Sequence, residues 1–362
     1  MTMTGLTIPF NGLKKQYNTL RTEILDTTDM VLRSGELMNG NYTAEFENWL
    51  AKKNHSKYAV TCHSGTQALQ IIAEFVKNDL FEHEQQIAIP NLTYPATVNA
   101  FVKAGYRPHQ IKLVDVDNYG IIKINDINPD ADTIVVAVGL YGASINQLHN
   151  YNKFLIIEDA AQHWLADNCT RLGSASAVSF DPTKNLSNYG NGGAIITDNL
   201  SLAEYARLWR ANGRPDHVCT GTNSRMSEID CAGMLIKTKY LDSWQERRKK
   251  IARHWIEIFS KHHIRCLIDD SNLKNHGFQK FVIDIDHRNT VADKLAIRKI
   301  ETKIHYEKPL NELPVYALYP ARDTFISNAA SLSRRVLSLP FYPELTDLEV
   351  EYIADQVIGT KK

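Results

Sequence analysis

The chain of 362 residues is 43% hydrophobic and 23% charged, and its 41 basic and 41 acidic side chains leave a formal net charge of zero. That length suffices for one large domain and a smaller one, and the charge balance gives no support to a nucleic-acid coat or a membrane-surface role. The opening Met1–Gly12 lacks a charged segment followed by a long apolar run, no stretch approaches the ~20 apolar residues that span a bilayer, and the five cysteines are scattered without a C-x-x-C pair. A signal peptide, a transmembrane helix, a disulfide framework and a zinc site are therefore not expected, and reduced thiols in the cytoplasm are.

In chain order, residues 1–35 read as an N-terminal arm and helix, 36–240 as a large domain and 241–362 as a smaller one. Short apolar, β-rich runs recur at 57–62, 87–89, 111–114, 133–138, 154–157, 175–180 and 193–197, separated by helical or loop segments. Several are apolar throughout rather than alternating, as strands covered on both faces are. The pattern predicts an α/β fold with a mostly parallel sheet of about seven strands between helices. A helical pattern then runs from Ser227 to His262, with Arg247-Arg248-Lys249-Lys250 as its expected solvated face. The remainder predicts a smaller α/β domain with two or three short strands, one at 279–283, and a last helix over Asp347–Val357.

Ligands in such sheets sit at the carboxyl ends of the strands, and three loops there carry chemistry. After the first run, Ser64-Gly65-Thr66 opens a helical stretch; its free N–H groups could hold a phosphate, or Ser64 or Thr66 could be a plain N-cap. The fifth run ends in Glu158-Asp159-Ala160-Ala161-Gln162, where a buried carboxylate needs a cation, either a protonated heterocyclic nitrogen or a structural arginine. The sixth leads into Ser179-Phe180-Asp181-Pro182-Thr183-Lys184, a lysine whose burial would make its amine nucleophilic near neutral pH. Pyridoxal 5'-phosphate needs a lysine to hold it covalently, an acid at its pyridine nitrogen and an anion site for its phosphate. Lys184, Asp159 and the Ser64-Gly65-Thr66 turn supply the three together. No G-x-G-x-x-G follows the first strand, which argues against a dinucleotide-dependent dehydrogenase.

These residues carry a resemblance covering nearly the whole chain. Leu13-Lys14-Lys15-Gln16-Tyr17, Ser64-Gly65-Thr66-Gln67-Ala68-Leu69, Pro90-Asn91-Leu92-Thr93-Tyr94-Pro95-Ala96-Thr97, Glu158–Gln162, Ser179–Leu186, Asn223-Ser224-Arg225-Met226, Ile304-His305-Tyr306 and Leu337-Ser338-Leu339-Pro340 resemble the DegT/StrS group of nucleotide-sugar aminotransferases, pyridoxal-phosphate enzymes of fold type I that act as homodimers. The resemblance implies that Lys184 carries the cofactor and that Asp159 pairs with its ring nitrogen. It places Gln162 on the ring oxygen and Tyr94 on the ring face. Gly65, Thr66 and Ser179 would hold the phosphate with Asn223 of the partner subunit, and His305 and Tyr306 would lie near the sugar nucleotide. L-Glutamate would be the amino donor, leaving as 2-oxoglutarate, and a nucleotide-linked keto-sugar the acceptor.

Relatives that dehydrate sugars carry His at the lysine position, so Lys184 implies transamination. Leu13–Tyr17 and Pro182–Leu186 look more like the branch that aminates C3 than the C4 branch, which implies a dTDP-3-keto-6-deoxyhexose of the kind used for surface polysaccharide such as O-antigen lipopolysaccharide. A C4-aminotransferase and a non-catalytic regulatory protein are the alternatives. Two departures from the family pattern fall where the pocket is expected: Gly139 stands where His usually precedes Leu-Tyr-Gly, and His163-Trp164 follow the Gln where Ala-His is usual.

Overall fold

The computed structural model describes residues 7–79, 85–127, 133–151, 154–319 and 327–361. Residues 1–6 of the expected N-terminal arm lie outside these. Two helices, α1 (Leu13–Ser34) and α2 (Asn41–Lys53), lead into the sheet. Its strands are β1 (Tyr58–Cys62), β2 (Gln86–Pro90), β3 (Ile111–Val114), β4 (Thr133–Val138), β5 (Leu155–Asp159), β6 (Ala175–Ser179) and β7 (Gly193–Thr197). They lie in the order β1-β7-β6-β5-β4-β2-β3. From β6 to β3 every pairing is parallel, whereas β7 runs antiparallel to both neighbours. The carboxyl ends of the other six strands and the start of β7 therefore share one edge.

The apolar runs have the two-sided burial expected of them. In β4, Ile134, Val136 and Val138 join the core under α3 (Gly65–Asp79), α4 (Ala96–Lys103) and α5 (Leu200–Trp209), while Val135 and Ala137 face a second core on the other side.

The pattern from Ser227 to His262 is not one helix. It divides into α6 (Glu228–Thr238) and α7 (Leu241–Lys261). Ser227 and Asp230 form a capping box that starts α6, and the break at Lys239-Tyr240 lets Tyr240 and Trp244 pack on Leu20 and Ile24 of α1. A continuous helix would carry those two rings past α1. The expected solvated face of α7 is also corrected: Lys250 is exposed, but Arg248 is 5% exposed and turned toward Glu344, and Arg247 pairs with Asp347 at 2.7 Å. Their 3.6-residue spacing splits four consecutive cations between two faces.

Beyond α7, β8 (Arg265–Cys266), β9 (Phe281–Asp284) and β10 (Val336–Leu339) form an antiparallel sheet ordered β10-β9-β8. It packs with α7, α8 (Arg288–Ile297) and α9 (Asp347–Gly359) around Trp255, Phe259, Phe281 and Leu337. Ile8 joins this core through backbone bonds to Lys299 and Glu301. Among the described residues no helix is long and apolar enough to cross a membrane.

Candidate active site

The shared strand edge opens on a cavity of about 350 Å³. Ser64, Gly65, Thr66, Tyr94, Asp159, Gln162, Ser179, Lys184, His305 and Tyr306 all line it. Asn223 does not: it is exposed, and its Oδ1 accepts from its neighbour Arg225.

At one end, the turn between β1 and α3 presents the first N–H groups of α3, which have no acceptor within the helix. Ser64 Oγ accepts from Gln67 N at 3.2 Å, so the plain capping role is realised at Ser64, while the amides of Gly65 and Thr66 remain available to an anion. Gly65 is required for closeness, because a Cβ there would lie 2.8 Å from Ser179 Cβ. The turn thus rests directly against the residue that ends β6.

Asp159 is 6% exposed at the end of β5. Thr97 of α4 donates to its Oδ2 at 2.7 Å and Ala161 N to its Oδ1 at 3.3 Å. The structural arginine that could have met it is absent; among the described residues no cation pairs with Asp159. Lys184 is held by its backbone N–H on Asp181 O and forms no side-chain hydrogen bond or ion pair among the described residues. Burial of its amine lowers its pKa, with Asp181 and Asp159 opposing that fall.

Gln162 is fixed on both sides of its amide: Oε1 accepts from Tyr141 N at 2.8 Å and Nε2 donates to the Tyr306 hydroxyl at 3.1 Å. Tyr94 faces Tyr306 with ring centroids 5.9 Å apart. It is 57% exposed, so its ring is free to cover a ligand. His305 Nδ1 lies 2.9 Å from Ser338 Oγ, and burial first, then Lys280, Lys184 and Lys303, push its pKa down to about 2.

The sequence reading missed Thr97, Gln279 and Lys280. Gln279 Nε2 donates to Thr183 O at 2.9 Å, and Asn185 Nδ2 to Gly277 O at 2.7 Å, so the approach to β9 clasps the Lys184 loop on both sides. A Gln-Lys pair before a strand gives no local sign of this, since Thr183 lies 96 residues from Gln279 and Asn185 lies 92 from Gly277.

The two departures from the family pattern form one unit. A Cβ at Gly139 would lie 2.4 Å from His163 Cγ and 2.2 Å from Ala143 O, so the imidazole fills the space beside Gly139. His163 Nδ1 accepts from Gly139 N at 3.0 Å, which leaves its proton on Nε2, 3.5 Å from Glu158 Oε2. Burial raises the Glu158 pKa, but His163 and the amides of Thr170 and Gly173 outweigh it and hold the carboxyl below its usual range. Both departures were expected beside the sugar and cofactor pocket; His163 is fully buried and neither residue lines the cavity. They change the support behind the site.

What the protein leaves unsatisfied at the strand edge is a cation for Asp159, a partner for the Lys184 amine and an anion for the start of α3, and pyridoxal phosphate carries all three on one ring. Fold and donor set together define a pyridoxal-phosphate-dependent aminotransferase of fold type I. The chain matches the DegT/DnrJ/EryC1/StrS aminotransferase family over residues 18–358 and belongs to it. It is 31% identical to the dTDP-3-amino-3,6-dideoxy-alpha-D-galactopyranose transaminase of Aneurinibacillus thermoaerophilus, over 97% of this chain and 98% of that one. It is 28% identical to the pleiotropic regulatory protein of Geobacillus stearothermophilus, again over 97% and 98%. The X-ray structure of S. venezuelae DesV in complex with a ketimine intermediate superposes with a TM-score of 0.88 at 29% identity, covering 98% of this chain and 99% of that one.

Proposed function

We propose that the protein moves an amino group from L-glutamate to a nucleotide-linked keto-sugar, a dTDP-3-keto-6-deoxyhexose, in the cytoplasmic synthesis of an amino sugar for surface polysaccharide. The observation that carries the transaminase chemistry is Lys184, which lines the cavity beside Asp159, neither of them in an ion pair among the described residues. The preference for C3 rests on the resemblance of Leu13–Tyr17 and Pro182–Leu186 to the C3 branch, supported by the Aneurinibacillus relative. We take 36–240 as the cofactor-binding domain, 241–362 as the smaller domain and 1–35 as an arm and helix.

When bound, pyridoxal phosphate acts as an electron sink for the carbon that carries the transferred nitrogen. The chain does the rest. Asp159, held by Thr97, accepts a hydrogen bond from the ring N–H and keeps it protonated. Lys184, whose amine gives up its proton more readily because it is buried, would bind the cofactor and then carry the proton to and from the reacting carbon. Gly65, Thr66 and Ser179 hold the phosphate, Gln162 meets the ring oxygen, Tyr94 covers the ring, and His305 and Tyr306 position the sugar. Two chains complete each site, with Asn223 reaching the phosphate of the partner subunit. Its exposure outside its own cavity supports this, as does the apolar surface of Leu25, Met30, Leu32, Leu37 and Met38 on and after α1.

The test is the absorption spectrum of the protein with pyridoxal phosphate, before and after L-glutamate, beside Lys184→Ala. Wild type alone should show a visible band that glutamate converts to a near-ultraviolet one, and 3-keto sugar nucleotides should then restore the visible band. Restoration by 4-keto sugars only would move the reaction to C4. A protein that binds no cofactor would leave a regulatory role of the kind that the Geobacillus relative is named for.

A further inference from the structure

The cavity holds a second lysine. Lys280 lines it with Lys184, and is 7% exposed. It stands one residue before β9 and is placed by its N–H on Tyr141 O at 3.0 Å. Strand alternation turns its neighbour Phe281 into the small-domain core, and sends Lys280 to the side of Val282, which packs at the junction with Tyr141 and Tyr306. Among the described residues its amine makes no hydrogen bond and no ion pair, and charging a buried amine without a partner is costly. Burial first, then Lys184 and Lys303, lower the pKa of its amine against the opposing pull of Asp181, whose carboxylate already accepts from Thr183 N and Oγ1; a carboxylate arriving beside the amine would offset that cost and favour its protonated form.

An amino acid that delivers its nitrogen at the Lys184 position brings a carboxylate with it, one bond from the reacting carbon. Something in the cavity must meet that charge. Among the described residues no arginine lines the cavity. His305 is neutral, because burial and the neighbouring lysines press its pKa down. The Gly65-Thr66 amides are at the phosphate end. Lys184 would hold the cofactor before the donor arrives and carry the proton once the donor has replaced it.

We propose that Lys280 receives the α-carboxylate of the amino donor. This rests on the transaminase reading above and assigns it a donor site. The same pocket must then admit a sugar ring with no carboxylate, and a flexible ammonium can leave the centre of the cavity where a rigid guanidinium fork would stay. Lys280 is thus a substrate-binding residue of the first half-reaction only.

The test uses full-length, cofactor-loaded protein with Lys280→Met and Lys280→Arg. In Lys280→Met, the L-glutamate concentration that half-saturates the loss of the visible band should rise roughly 10- to 100-fold, the loss expected for one hydrogen bond to a charged group. Lys280→Arg should recover most of it, and keto-sugar uptake by pre-aminated Lys280→Met should keep its saturation. Glutarate, which cannot react, gives a readout free of turnover: calorimetry should detect its binding to wild type and to Lys280→Arg, and not to Lys280→Met. Unchanged glutamate and glutarate saturation in Lys280→Met, or a defect confined to the keto-sugar step, would overturn the proposal. A wild type that binds glutarate through Lys280 but is not converted by glutamate would uphold the anion site and sink the donor assignment of the transaminase reading.

Discussion

At the scale of single residues, Thr97 shows how a site carboxylate is kept in place. Its hydroxyl gives Asp159 its shortest hydrogen bond, 2.7 Å, from the first turn of α4. Thr97→Val keeps the shape and removes the donor. It should weaken cofactor retention and lower turnover by roughly 10- to 100-fold, with little change in the unfolding midpoint. Retention through gel filtration and steady-state rates check this, and wild-type values for both would show that Asp159 needs no such support. Asp159 and Lys184 were legible in the sequence because a charged residue at the end of an apolar strand, or in the loop that follows one, is conspicuous. Thr97 was not, since a threonine early in a helix looks ordinary and its partner lies 62 residues away. His163 was legible only as a departure; its meaning needed the 3.0 Å hydrogen bond from Gly139 N, which no spacing reveals.

Among the elements, the seven strands could be read off because burial on both faces makes them apolar throughout. The boundary between α6 and α7 could not, since the hydrophobic period continues across Lys239-Tyr240 and only packing on α1 breaks it. One residue of α6 shows what that packing does. Lys237 is 1% exposed, donates to Ser187 O at 2.6 Å and lies 3.7 Å from the centre of the Tyr189 ring, tying α6 to the loop after Lys184. Burial pulls its pKa from 10.5 to about 7, against a smaller opposing effect of Glu344. The unfolded chain therefore holds more protons between those two values, and stability rises with pH across the window. The contribution is fully present above 10.5 and lost as pH falls to about 7. Urea midpoints for wild type and Lys237→Met should show the wild type gaining on the variant from about pH 7 to about pH 10. A constant difference would mean that the amine keeps its proton throughout.

For the whole molecule, the topology explains why residues far apart in the chain meet: parallel strands deliver their carboxyl ends to one edge, antiparallel β7 brings its start there, and Lys280, His305 and Tyr306 reach it from the smaller domain. The proposed dimer adds Asn223 from a second chain. Lys184→Ala and Asn223→Ala homodimers should each be impaired. Mixing them under conditions that exchange subunits should restore activity, because one of the two sites in each mixed dimer escapes both changes. No recovery, with exchange verified by sedimentation of tagged chains, would place Asn223 in its own subunit's site or in none.

The clasp at Lys184 carries a mechanical consequence. Thr183 and Asn185 are both tied to the 277–279 segment, and Lys280 follows immediately on that same segment. The amine that would hold the cofactor and the ammonium that would hold the donor are thus mounted on one lever. Any swing of the smaller sheet against the larger one shifts both together, so such a movement would register the two reactants against each other and could not simply open or shut the entrance.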